Sequence, residues 1–446
     1  MLRSLMPWLL NLLYAALLTL LSPVIIWRMI RHRRYRRGLR QKLFGQLPFT
    51  LDTRPLAWFH AVSVGEIVQL RKIVDEFRRQ TSDSWTIVVS TSTDTGYDLA
   101  RQRFPDCQLV WFPLDFSWAV RRALQRLQPS LLVLVELELW PGLILECSRQ
   151  NVPVAIVNAR LSHRSFRRYL RARWFLQPVF SRIALVAAQS QPCAERLQKL
   201  GVPAERIQLT GSVKFDGVAC SPGHPPTQQL RSLLQIDPAA PVLMAGSTQA
   251  PEERWILDIW QQLRRLHPTL QLILVPRHRE RFDEVAELVR AAGVPLLRRS
   301  QLTANPPPAD LDTNCVRLLD TIGELSACWG LADMAFVGGS FGSRGGQNMI
   351  EPAAFGAAVT FGPNTWNFRD VVQIFREADA CRQVQSPSEL LPLLQHWLDQ
   401  PLDRQRIGAA AAAVVLSQQG AVTATAQLLL THVTPRNAIP PRIKAA

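Results

Sequence analysis

The hydrophobic pattern is strongest at the start of the chain, where residues 5–27 are almost entirely apolar and carry no charge. At about 1.5 Å per residue, a helix of that length crosses a bilayer core of roughly 30 Å. A cleaved signal peptide calls for a shorter apolar stretch, a more basic start and a small-residue cleavage site. Pro23 and the tryptophans Trp8 and Trp27 suit a membrane span with interfacial anchors. The alternative is a buried helix of the globular body. Beyond it, short apolar runs alternate with amphipathic segments, the pattern of a parallel sheet with helices on both faces. Strands are predicted at 56–62, 85–90, 108–112, 131–135, 152–157 and 184–188. After a Pro, Gly and Ser cluster at 220–226 (CSPGHPP) the alternation restarts, with strands at 242–245, 270–275, 315–319, 334–337 and 359–361. Residues 303–308 (TANPPP) read as a surface loop and 407–431 as helix.

This divides the chain into an anchor at 1–27, a Rossmann-like domain at 28–218, a linker at 219–240, a second Rossmann-like domain at 241–432 and a loose tail at 433–446. Doubly wound α/β domains bind ligands outside the C-terminal ends of their strands. Two of them facing a cleft suit a two-substrate enzyme. Periplasmic binding proteins share the plan, which cytoplasmic anchoring disfavours.

Charge changes this picture less than its total of +16 suggests. Residues 28–42 hold eight Arg or Lys and no acid, and 164–174 hold five more, thirteen of the sixteen excess charges. No nucleic-acid recognition motif accompanies them, so a nucleic-acid partner is not expected. The basic flank after the apolar stretch places the remainder in the cytoplasm, at the inner membrane, as a single-pass protein. It would also attract anionic lipid, at about 1 kcal/mol per charge. The seven cysteines are scattered, without a CxxC pair, and give neither a disulfide framework nor a zinc site. Asp94 is isolated and no DxD pair ends a strand, so metal-independent chemistry without a cofactor is expected.

Candidate chemistry gathers at strand ends. In 58–66 (WFHAVSVGE) a strand runs through a small-residue loop into a helix that carries Glu66 on its first turn. A carboxylate there can deprotonate an attacking hydroxyl, or can merely cap the helix. In 136–140 (ELELW) Glu136 and Glu138 end a strand of Leu and Val, and strand alternation turns them the same way. They would orient an acceptor, or pair with arginines such as Arg160. In 333–346 (DMAFVGGSFGSRGG) a strand is followed by five glycines before a helix predicted at 347–355, with Glu351 one turn in. Glycine lets backbone amides approach a phosphate, although a packing turn reads the same way. The stretch is neither a P-loop nor GxGxxG. Arg277 and His278 in 276–281 (PRHRER), 246–248 (GST) and Lys214 in GSVKFD add donors and cations for an anionic ligand.

In order, HAVSVGE at 60–66, ELELWP at 136–141, NARLSHRS at 158–165, GSVKFD at 211–216, AGST at 245–248, LVPRHRER at 274–281, DTIGEL at 320–325, FVGGSFGSRGGQNMIEPAAFG at 336–356 and FGPNTWNF at 361–368 resemble the bacterial 3-deoxy-D-manno-octulosonic acid (Kdo) transferases of lipid A assembly. The resemblance implies a GT-B fold, CMP-Kdo as donor, a lipid A precursor as acceptor and inversion at the anomeric carbon without metal. It puts Glu66 on the general base, and Glu136 and Lys214 on positions that stabilise the transition state. It puts Pro276, Arg277, Ile322, Gly323, Glu324, Asn348, Met349, Ile350 and Glu351 on the CMP contacts. Three positions depart from the family pattern: Gln347 and Gln249 replace histidines, and Arg279 replaces a proline. A Gln hydrogen-bonds like a neutral His but cannot become cationic. Two other readings stay open: a same-fold transferase with a different acidic sugar or lipid, and a tethered anionic-lipid binder without catalysis.

Overall fold

The apolar runs become strands because both faces of each sheet are covered by helices, the situation that lets a parallel strand be hydrophobic throughout. The computed structural model describes residues 2–32, 36–48, 53–218, 223–302 and 314–431, without the side chains of 2–9 and 32. The loop read at 303–308 and the tail at 433–446 lie outside the described residues. The chain forms two units, one of Met1–Asp216 with Gln419–Ala446 and one of Gly217–Gln418.

The first unit opens with helices α1 (Leu2–His32) and α2 (Leu39–Phe44). Its sheet holds β1 (Leu56–His60), β2 (Thr86–Thr91), β3 (Gln108–Trp111), β4 (Leu131–Val135), β5 (Val154–Ala159), β6 (Leu185–Ala188) and β7 (Ile207–Leu209). Between them run α3 (Val64–Thr81), α4 (Asp94–Arg103), α5 (Ser117–Leu127), α6 (Pro141–Arg149), α7 (His163–Arg171), α8 (Arg173–Phe180) and α9 (Gln191–Leu200). All pairs are parallel, in the order β3-β2-β1-β4-β5-β6-β7. Side-chain alternation splits the core in two: Trp58 points into one apolar layer, while Ala57 and Phe59 point into the other.

The second unit contains α10 (Pro225–Leu233), then β8 (Val242–Thr248), β9 (Gln271–Pro276), β10 (Leu296–Arg298), β11 (Val316–Leu318), β12 (Met334–Val337), β13 (Ala358–Phe361) and β14 (Arg382–Gln383). Its remaining helices are α11 (Glu252–Leu263), α12 (Phe282–Ala291), α13 (Leu325–Cys328), α14 (Ile350–Ala354), α15 (Arg369–Glu377), α16 (Leu390–Asp399) and α17 (Pro401–Gln418). The order is β10-β11-β9-β8-β12-β13-β14, again all parallel. In each sheet the chain crosses to the other side of one strand, although in the second sheet β11 inserts between β9 and the edge strand β10; the strand crossed is β1 in the first sheet and β8 in the second. The gap beside that strand is where such sheets bind ligands.

Two boundaries differ from the sequence reading. The linker expected at 219–240 contains α10, whose buried Thr227 donates to Ala327 O at 2.7 Å within the second unit. The second domain, expected to run to 432, ends at Gln418, and α18 (Ala421–Thr431) returns to the first unit. There Ala421, Ala426 and Leu429 join Phe77 and Ile73 in one apolar layer. Asp216 fastens the return, its two carboxylate oxygens accepting Gly420 N–H and Val422 N–H at 2.6 Å each. Asp216→Ala is expected to cost about 2 kcal/mol, the scale of hydrogen bonds to a charged group. The loss should appear as faster amide exchange confined to α18; unchanged exchange there would show that apolar packing alone holds the helix.

Candidate active site

The loop after β1 is shaped by its own helix cap. Ser63 is the N-cap of α3, and its hydroxyl oxygen accepts Glu66 N–H at 3.2 Å. The Glu66 carboxylate reaches back, one oxygen accepting Val62 N–H at 2.9 Å and the other the Ser63 hydroxyl at 2.7 Å. This resembles a capping box shifted by one residue. Glu66 is buried, so the cap also fixes its direction. An ionised carboxylate offers about four lone-pair sites, so these two bonds leave it able to receive a proton.

β4 stops at Val135, and Glu136 turns out of the sheet with φ 57° while its N–H donates to Val157 O at 2.9 Å. Strand alternation therefore does not relate Glu136 to Glu138, as the sequence had suggested. A turn does, because a strand buried on both faces has no place for two acids. β1 and β4 are neighbours, with His60 opposite Leu134, so the Glu66 and Glu136 loops leave adjoining strand ends at the switch point of the sheet. Burial, with the charges of Glu66 and Glu136, pushes the Glu138 carboxyl up to about 7.

Lys214 is half-buried on the loop after β7. The neighbouring Val213 N–H donates to Asn158 Oδ1 at 3.3 Å, and Asn158 Nδ2 donates to Gln69 Oε1 at 2.5 Å. Gln69 lies one turn along α3 from Glu66. Asn158 is fully buried at φ 51° and joins the Glu66 helix to the Lys214 loop. His60 is a core histidine: it stacks on Phe112 with ring centroids 3.5 Å apart, and burial pushes it down to about 3.

In the second unit, β8 ends at Thr248, and β12 leads into the glycine loop beside it. Three amides early in that loop do not wait for a phosphate. Glu252, 2% exposed, accepts Gly339 N–H at 2.8 Å, Ser340 N–H at 3.2 Å, Phe341 N–H at 3.4 Å and Gln249 N–H at 3.0 Å. A Cβ on Gly338 would lie 2.7 Å from the same carboxylate, which explains that glycine. The helix predicted at 347–355 is only Ile350–Ala354, so Glu351 falls in its first turn instead of one turn in. Asn348 Nδ2 donates to Glu351 Oε1 at 2.8 Å, while Asn348 Oδ1 accepts Ile350 N–H at 3.1 Å. Met349 and Ile350 are buried, Pro276 closes β9, and Arg277 is exposed beyond it. Ile322 is exposed, Gly323 has φ 96°, and Glu324 pairs with Arg299 at 2.8 Å. The side chains of Gln249 and Gln347 meet over Gly339, their Nε2 atoms 3.3 and 3.2 Å from where its Cβ would stand.

The sequence model of the family described as "3-Deoxy-D-manno-octulosonic-acid transferase (kdotransferase)" matches residues 32–217. A 3-deoxy-D-manno-octulosonic acid transferase of Haemophilus influenzae is 33% identical over 94% of this chain and 98% of its own length. One from Bordetella pertussis is 34% identical over 93% of this chain and 98% of its own. This chain belongs to the Kdo transferase family. It is a glycosyltransferase of lipopolysaccharide synthesis, and its fold is of the GT-B type. A glycosyltransferase of Rickettsia africae, 11% identical, shares that fold over 85% of this chain and 99% of its own, with a TM-score of 0.53.

In this Kdo transferase, Asn158, Asp216 and Glu252 were not singled out by sequence reasoning. Their signal was adjacency: Asn158 opens NAR, Asp216 closes GSVKFD, and Glu252 follows AGST. Glu138 supplies a pH test. Its folded pKa, about 7, stands above the ordinary 4.5, so the folded state holds this proton more tightly than the unfolded one. Its contribution to stability is therefore present below about 4.5 and is lost as pH rises to about 7. Glu138→Gln, which cannot ionise, should melt like the parent at pH 4.5 and above it at pH 8. Equal melting points at pH 8 would show that neither burial nor the neighbouring carboxylates press on the ionised Glu138.

Proposed function

We propose that this transferase moves Kdo from CMP-Kdo to a lipid A precursor, at the cytoplasmic face of the inner membrane and without a metal. The observation that carries the reading is the pair of acidic loops, Glu66 and Glu136, on adjoining strand ends in a member of this family. An acceptor hydroxyl attacks the anomeric carbon and its proton passes to Glu66, the general base. The bond from that carbon to the CMP phosphate breaks, and the electron pair leaves with CMP. Lys214 and the Glu136 loop stabilise the charge that develops. Pro276, Arg277, Ile322–Glu324 and Asn348–Glu351 hold CMP on the second unit. Because the amides of 339–341 are taken by Glu252, the phosphate is left to Arg277 and to the later part of the glycine loop. The acceptor is an anionic lipid, and α7 supports its capture: its arginines are exposed and none of its residues is buried.

The test is to incubate detergent-solubilised protein with a tetraacylated lipid A precursor and CMP-Kdo generated in situ, then weigh the products. Whole-Kdo mass increments, unchanged by a chelator, are expected and would count the additions. No product where a control transferase succeeds would remove the Kdo assignment and turn attention to Gln249 and Gln347. Loss of product when the chelator is added after CMP-Kdo has formed would remove the metal-free mechanism.

A further inference from the structure

Two polar side chains in the apolar stretch of α1, Asn11 and Tyr14, are held by the rest of the first unit. Asn11 Nδ2 donates to Ser117 Oγ at 2.8 Å, and Asn11 Oδ1 accepts Ser117 N–H at 2.9 Å, so Asn11 supplies a bond at the N-terminus of α5. The Tyr14 hydroxyl donates to Asp115 Oδ2 at 2.9 Å. Asp115 is 4% exposed, and its carboxylate also accepts Gly142 N–H and Leu143 N–H at 2.7 Å each. Leu10, 3% exposed, completes the contact.

The far end of the helix is tied to the same unit. Arg36 Nε donates to Met29 O at 2.7 Å, Arg37 pairs with Asp98 at 2.7 Å, and Gly38 lies so close to the Trp111 ring that a Cβ would not fit. From Tyr14 to Met29 the helix rises about 22 Å at 1.5 Å per residue. A helix perpendicular to the membrane would place those ends at depths differing by most of the hydrocarbon core. One water-facing unit grips both. The remaining surface of α1 is apolar and open, with Leu12 72%, Leu20 76% and Ile30 70% exposed, and only lipid suits it. Trp118, 47% exposed beside the Asn11 contact, continues that surface.

We propose that α1 lies along the first unit and immerses in the cytoplasmic leaflet, clamped through Asn11–Ser117 and Tyr14–Asp115, instead of carrying the N-terminus across the bilayer. This refines the membrane attachment in the proposed function and rests on it. The clamp has a use: Asp115 binds the start of α6, directly after the Glu136–Trp140 loop. It thereby sets that acidic loop at a fixed depth relative to the leaflet from which a lipid acceptor comes.

The full chain carrying Ser4→Cys, in membrane vesicles of both orientations, is treated with an impermeant maleimide and compared with the parent for background. At least ten-fold stronger labelling from the cytoplasmic side is expected. Labelling from the periplasmic side would overturn the proposal while leaving membrane attachment intact. Recovery of the chain in the soluble fraction would overturn both. If neither side labels, Asn11→Cys with Ser117→Cys decides: a short cross-link formed in the membrane supports the clamp, and its absence overturns it.

Discussion

Glu66→Gln is expected to lower kcat by roughly 10²–10⁴-fold, the range that a positioned general base supplies. The same change touches the cap of α3, where Glu66 accepts from Val62 N–H and Ser63 Oγ–H. A glutamine keeps one of those acceptors, so the structural cost should be about 1 kcal/mol. The two effects differ enough in size to be separated by measuring kcat and the melting temperature on the same preparation. A large loss in kcat with a melting temperature within a few degrees of the parent identifies the base. A loss of about ten-fold or less, with a matching drop in stability, would leave Glu66 as a cap and move the search for the base to Glu138, the neighbour whose carboxyl is pushed up to about 7.

Much of the fold was legible because parallel strands covered on both faces must be apolar throughout. Runs such as 131–135 (LLVLV), short and preceded by Pro129 and Ser130, read as buried strands, and β4 spans those residues. The strands that escaped notice, β7, β10 and β14, are short and lie at or next to sheet edges, where one covered neighbour suffices and side chains stay half-exposed. Richness in Ala, Leu and Gln announced a helix at 407–431, which breaks into α17 and α18, and composition does not say which sheet a helix will cover. Only the packing of Ala421, Ala426 and Leu429 with the layer around Phe77 decides that. The motifs located the candidate residues by chain position, whereas their directions depended on backbone detail. A strand end that twists to φ 57° at Glu136 reads in sequence like one that stays extended. At α1 the polar signals were present, since an Asn in an apolar helix calls for a partner, but the partner lies in a segment a hundred residues away.

The glycine loop makes the second large prediction, because a run of glycines looks the same whether its amides serve a ligand's anion or one of the protein's own. Here the amides of Gly339, Ser340 and Phe341 serve Glu252. Its two oxygens accept four backbone N–H groups, from Gln249, Gly339, Ser340 and Phe341. Burial is strong enough to raise its pKa despite those four bonds. Glu252→Ala would strand several donors in a site with almost no water access, each costing about 1–3 kcal/mol when unpaired. Partial collapse and water entry reduce the sum, so a loss of about 4 kcal/mol is expected, at the top of what single substitutions produce. Glu252→Gln retains one carbonyl oxygen but turns an NH₂ toward amide donors, and should fall between the two. Because Gln249 and Gln347 meet over Gly339, a loosened loop should also weaken CMP binding by ten-fold or more. Denaturant unfolding and calorimetric CMP titration of both variants check this. If Glu252→Ala unfolds and binds CMP like the parent, the loop amides have another partner and Glu252 does not organise the site. If stability falls while CMP binding is kept, the carboxylate supports the second unit but the nucleotide does not depend on this half of the loop.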